Sequence, residues 1–185
     1  MKQYVICRAC GYIMEASHLG EECPACGMPK MAFEPYTKKL SPRRRMILEQ
    51  HFHPILTHFP QVLIIAVVFS MVVALIFQDP LRSEFLIVAK YSILALPFFV
   101  LIGIISGMVD GKYRFKKLGT PLLICKIKAA LVLQVLSLAI FILYLYKGFT
   151  HSNLVTILVL SLLATGCSIF LGKKGSGMVG SFLPG

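Results

Sequence analysis

His51-Phe52-His53-Pro54-Ile55-Leu56-Thr57-His58-Phe59-Pro60 is where this 185-residue chain changes character. Upstream lies a short polar segment with four cysteines in two pairs, and downstream lie long apolar runs edged with lysine and arginine. Three histidines stand within eight residues at the junction. Any exchange between a metal upstream and a site among the apolar runs would pass here.

Downstream, composition decides the class. Apolar residues make up 57% of the chain and charged ones only 15%, too little polar surface for a soluble domain of this size. The apolar residues gather into four runs, about 55–77, 85–109, 126–147 and 153–171, each near the ~20 residues a helix needs to cross hydrocarbon. Four such helices with short links predict an all-α integral membrane four-helix bundle over 55–171. Residues 172–185 form a tail.

The net charge of +11 belongs to the flanks of these runs and implies a lipid surface, not nucleic acid. Thirteen lysines and arginines lie in residues 37–54, 110–128 and 172–185, against three (Arg82, Lys90 and Lys147) toward the other side. The excess predicts a multi-pass protein of the inner (cytoplasmic) membrane, with both termini and the upstream segment cytoplasmic. No apolar leader precedes Cys7, which agrees with that expectation.

Upstream, Cys7-Arg-Ala-Cys10-Gly11 and Cys23-Pro-Ala-Cys26-Gly27 are two C-x2-C knuckles. Each can turn two thiolates toward one centre, with a glycine after the second cysteine to allow the bend. Four thiolates so spaced predict a tetrahedral site for zinc or a single iron. About 36 residues cannot fold on apolar burial alone, so the metal should supply most of the order, with Tyr4, Val5, Tyr12, Ile13 and Phe33 as cover. Cys125 and Cys167 fall in or beside apolar runs and read as small apolar residues. His18 reads as an exposed loop residue.

Tyr4-Val5-Ile6-Cys7-Arg8-Ala9-Cys10-Gly11-Tyr12, with Glu22-Cys23-Pro24-Ala25-Cys26-Gly27 and Phe33, resembles the short rubredoxin domain of rubrerythrins. The resemblance implies one iron held by Cys7, Cys10, Cys23 and Cys26 and cycling between ferric and ferrous states, with Tyr12 and Phe33 in a small core. Ala16 and His18-Leu19-Gly20 depart from the family's glycine and proline-containing turn. The expected fold is thus a small rubredoxin-like metal-knuckle domain (1–36), a basic linker (37–54) and the bundle. In the linker, Ser41 is a plausible N-cap, Pro42 a natural first helical residue, and the arginines suit anionic headgroups.

The opening stretch is also similar to the signature of a family of four-helix membrane proteins, His-Pro followed by His-Phe-Pro at the first helix. Four-helix bundles of this scale hold haem b, which brings the histidines forward as ligands. His58, just inside the first span, is the leading candidate, with Thr57 available to hold its other nitrogen. His53 and His58 would chelate together only through a non-helical turn at Pro54. The second, third and fourth spans carry no histidine on the cytoplasmic side. A second haem ligand would therefore come from His53, His51, Met108 or another subunit, or be absent, while a haem on the outer side would use His151. Gly103-Ile-Ile-Ser-Gly107 reads as a close-packing face, within one chain or in a homo-oligomer. Pro97 should bend its span, and Gln134 requires a partner such as Ser137, Ser92 or a ligand.

Electron transfer between a tetrathiolate iron and haem b or quinone, fed by a soluble cytoplasmic redox partner, is the function these features favour. A membrane oxidoreductase acting on quinone or superoxide/peroxide, and a non-redox zinc-ribbon scaffold, remain open alternatives. No nucleophile triad, phosphate loop or carboxylate cluster points to hydrolysis or nucleotide chemistry.

Overall fold

A computed structural model of the chain describes residues 3–36, 50, 52–115, 119 and 121–179. Residues 37–49 of the basic linker, with the expected cap at Ser41, and His51 lie outside the described residues, while Phe52–Pro54 belong to the first long helix. The chain divides into two compact units. The first is built on three strands, β1 (Tyr4–Cys7), β2 (Ile13–Glu15) and β3 (Phe33–Tyr36), in the antiparallel order β2-β1-β3. Tyr4, Val5 and Ile6 are residues that fit a pleated surface, and they give β1 its central place. Single turns of 3-10 helix, Ala16–His18 and Lys30–Ala32, fill two of the connections.

This unit has almost no apolar interior. Among its described residues only Cys7 and Cys23 are buried, at 0% and 2% exposure, while Val5, Ile13 and Phe33 are half-buried. Tyr12, expected in the small core, stands 42% exposed. The interior of the unit is therefore the thiolate cluster itself. The Arg8–Glu34 ion pair that links β1 to β3 is largely exposed and adds little.

The second unit contains four helices, α1 (Phe52–Ile76), α2 (Leu81–Phe115), α3 (Pro121–Lys147) and α4 (His151–Val179). All four are long and apolar enough to cross a membrane. They meet in two apolar clusters. Val67, Met71, Ala89, Ile93, Ile140, Leu154 and Ile157 form one, and Ile64, Leu96, Val100, Leu133 and Ala164 the other, so every helix contributes to each. Phe59 stacks on Phe99 at 5.2 Å and Phe69 meets Phe85 edge-on at 5.4 Å, joining α1 to α2 at two levels.

The helices outrun the apolar stretches. α2 has 35 residues and is therefore about 52 Å long, against hydrocarbon of ~30 Å. It continues through Asp110 and Lys112, because lysine is as good a helix former as leucine and a single aspartate costs too little to end a helix. At the turn between α3 and α4, Gly148 takes φ +55°, and the Asn153 amide donates to the carbonyls of Leu143 and Gly148, closing the end of α3.

α1 begins at Phe52 and runs on past Pro54. Proline is tolerated there because the first-turn N–H groups have no intrahelical acceptor. The turn expected at Pro54 is absent. On a continuous helix His53 and His58 project about 140° apart and cannot share one metal.

Candidate metal centre and the histidine seat

The two knuckles fold alike. The Gly11 N–H donates to the Cys7 carbonyl and the Gly27 N–H to the Cys23 carbonyl, both at 2.8 Å. The Cys7 N–H donates to the Tyr12 carbonyl at 2.9 Å and the Cys23 N–H to the Met28 carbonyl at 2.7 Å. Gly11 and Gly27 have φ of +73° and +72°, a conformation that costs any residue with a Cβ. Two short loops thus approach from opposite sides and present two sulfurs each.

The four Sγ atoms all lie within 4.8 Å of one another. Cys7 Sγ is 3.8 Å from Cys26 Sγ, and Cys10 Sγ is 3.7 Å from Cys23 Sγ. A metal bonded to four thiolates at ~2.3 Å requires tetrahedron edges of about 3.8 Å. The cluster is therefore the size of a single-metal site, and all four predicted ligands are brought together. Iron and zinc both fit four thiolates, and iron held so supplies a one-electron couple.

The thiols are not equivalent. Burial opposes ionisation of Cys23, but backbone amides of Ala25 and Cys26 outweigh it, and its pKa is lowered to about 7. At Cys26 the Met28 amide favours the thiolate, yet the other sulfurs and burial push the pKa up to about 12. Cys10 receives the Tyr12 amide, but burial and its neighbours Cys23 and Cys7 leave its pKa raised. Hydrogen bonds from amides to sulfur also stabilise the reduced, more negative state of a bound iron. Cys26 is the exposed ligand, beside Met28 at 41% exposure.

In the helical unit the candidate ligands differ in their surroundings. His58 is exposed, with Phe59 beside it, and His151 is exposed at the first residue of α4. Met108 is 40% exposed. His53 is half-buried and held against α2: its Nδ1 lies 3.1 Å from Ser106 Oγ. The Ser106 hydroxyl also lies 2.9 Å from the Gly103 carbonyl. Nδ1 and the Ser106 hydroxyl are within hydrogen-bond distance, and the tautomer of the ring decides which of the two donates.

The imidazole lies on Gly107, where a Cβ would stand 2.8 Å from its Cε1. Gly107 thus makes room for a ring, while a Cβ at Gly103 would meet nothing within 4 Å. Gly111, one turn further, is covered by Leu123, whose Cδ2 would be 2.9 Å from an added Cβ. Ser106 and Gly111 were not singled out in the sequence. The Gly-x3-Gly-x3-Gly spacing from 103 to 111 and a serine beside Gly107 were the available signal.

Gln134 does not receive the expected partner either. The Ser137 hydroxyl donates to the Gln134 backbone carbonyl at 2.8 Å, and Gln134 Oε1 is buried with no hydrogen bond. Cys167 donates to the Ala129 carbonyl at 3.1 Å and acts as a link between α4 and α3.

A rubredoxin-like tetrathiolate segment fused to a bundle of four apolar, membrane-length helices is the class of protein these two units define. Residues 6–34 match the family described as "Rubrerythrin, rubredoxin-like domain", which covers both knuckles and most of the sheet. Comparison of the chain with curated proteins and with solved structures returns no match.

Proposed function

We propose that this protein is a membrane-bound electron carrier. It passes single electrons between a tetrathiolate iron in the head and haem b or quinone in the helical unit. The observation that carries the reading is the cluster of four Sγ atoms within 4.8 Å, in a segment of rubredoxin type continuous with four membrane-length helices. Iron bound there supplies a couple needing no proton and no change of ligands. A soluble partner would exchange electrons at the exposed Cys26 edge.

Fifteen residues, 37–51, join the head to α1. A tether of that length keeps the head at an effective concentration on the order of millimolar at its own bundle, so the second transfer is intramolecular. The excess of lysine and arginine on the linker side supports a cytoplasmic head, where iron is reduced by soluble carriers. At the membrane end His53 is the residue best prepared to bind or orient an acceptor, because its ring is seated on Gly107 and hydrogen-bonded to Ser106.

The test is a visible spectrum of the full chain expressed with ample iron. Ferric tetrathiolate absorption that bleaches with one electron per chain supports the carrier, and a reducible Soret band would identify the acceptor as haem. Stoichiometric zinc with no chromophore would leave a metal-ordered membrane scaffold.

A further inference from the structure

Each sulfur of the head has a hydrogen-bonding neighbour in the opposite knuckle. Cys7 Sγ lies 3.8 Å from Cys26 Sγ, and Cys10 Sγ lies 3.7 Å from Cys23 Sγ. Both pairs join a buried cysteine to a more open one, since Cys7 and Cys23 are 0% and 2% exposed while Cys10 is half-buried and Cys26 exposed. The surroundings differ in the same sense. Every residue from Pro24 to Met31 except none is screened by a neighbour, all eight being exposed, whereas Ala9, Cys10 and Gly11 of the first knuckle are half-buried. A dissolved oxidant therefore meets the cluster at Cys26, and the sulfur facing that point is the buried one on β1.

A thiolate that meets peroxide becomes a sulfenic acid, and a sulfenic acid beside a second thiol condenses with it to a disulfide. A disulfide holds its sulfurs at ~2.05 Å, so Cys7 and Cys26 Sγ need to close by only about 1.8 Å. What such a bond does to the head depends on which sulfurs it joins. A bond within one knuckle links residues already held by three peptide bonds and by the turn to Gly11 or Gly27. A bond between the knuckles takes over the metal's task of tying β1 to the second knuckle, in a unit whose described residues bury only Cys7 and Cys23.

We propose that the head is a peroxide-sensitive site, in which Cys26 is oxidised first, Cys7 resolves it, and the metal gives way to disulfides between the knuckles. In the first step the O–O bond of hydrogen peroxide breaks as one oxygen joins Cys26 Sγ, and the other leaves as hydroxide. In the second, Cys7 Sγ forms the S–S bond as the S–O bond breaks, and a second hydroxide leaves. Two protons from solvent turn both into water. The two sulfurs supply the two electrons that reduce one peroxide. With two ligands lost the metal is released as its divalent ion, and Cys10 and Cys23 consume a second peroxide in the same way. Zinc contributes no electrons to this sequence, so the inference does not rest on the electron-carrier reading.

The test uses the zinc-loaded full chain in lipid nanodiscs, treated with hydrogen peroxide in the absence of thiols. A chromophoric chelator should record one zinc released for about two peroxides consumed. Cleavage at Arg8, Glu15, Glu22 and Lys30 places Cys7, Cys10 and the Cys23/Cys26 pair on three separate peptides. At one equivalent of peroxide the first and third should be joined by Cys7–Cys26, with Cys10 still a thiol. At excess all three should be joined, and a dithiol reductant with zinc should restore the loaded head in full. Cys125→Ser, which removes an exposed cysteine of the helical unit, should change none of this. Disulfides within a knuckle, a Cys10–Cys23 bond formed first, sulfinic acid at Cys26 in place of a disulfide, or zinc retained with four intact thiols would each overturn the proposal.

Discussion

At His53 one imidazole, one hydroxyl and one missing methyl group fit together. The Ser106 hydroxyl lies within hydrogen-bond distance of both the Gly103 carbonyl and Nδ1, and Gly107 leaves space for the ring. Gly107→Ala would put a methyl 2.8 Å from Cε1 and must displace the ring or part α1 from α2. We expect it to destabilise the helical unit by about 1–3 kcal/mol. Ser106→Ala, which removes the hydroxyl that pairs with His53, should cost about 0.5–1.5 kcal/mol. Thermal unfolding gives the two costs. The imidazole 15N shifts of His53 report its tautomer, which the bond to Ser106 should hold in one form in the natural chain and which should lose that bias in Ser106→Ala. If the bias survives, Ser106 does not set it.

The elements were legible to different degrees. Knuckles announce themselves because C-x2-C-G names both ligands and the residue that must take positive φ. The structure adds the matching φ of Gly11 and Gly27 and the repeated amide bonds. A Cβ at Gly27 would meet nothing within 4 Å, so the cost of Gly27→Ala is purely one of backbone conformation. At roughly 1–2 kcal/mol it should weaken metal binding about tenfold, as read by competition with a chromophoric chelator. Binding as tight as in the natural chain would mean the turn adopts another conformation without loss. The four helices were legible as apolar runs, but their ends were not: hydropathy marks hydrocarbon, and α2 continues past it through Asp110 and Lys112. The contact of His53 with α2 was not legible for a related reason. Depth along a helix can be counted from sequence, but which histidine turns toward a neighbour depends on Gly107 and Ser106 fifty residues away.

Across the whole molecule the two units are stabilised by different forces, and removing the metal should separate them. The helical unit has two apolar clusters drawn from all four helices, whereas the head buries little besides Cys7 and Cys23. Chelation should therefore unfold the head alone, with loss of strand signal and of amide protection over residues 4–36, while the helices persist. Acid should act the same way, and its direction follows from the thiols. Cys10 and Cys26 hold their protons at neutral pH and Cys23, with a pKa of about 7, is half ionised. Metal binding near pH 7 must then expel at least two protons. Thiolate formation grows less favourable as pH falls, so affinity should drop on the order of a hundredfold for each unit of acidification. Equilibrium titrations with zinc at pH 6 and 7 measure that slope. A slope of one proton or fewer would mean the empty site already holds its thiolates ionised. Helical content that falls in parallel with metal loss would mean the bundle depends on the head, contrary to the separate cores of the two units.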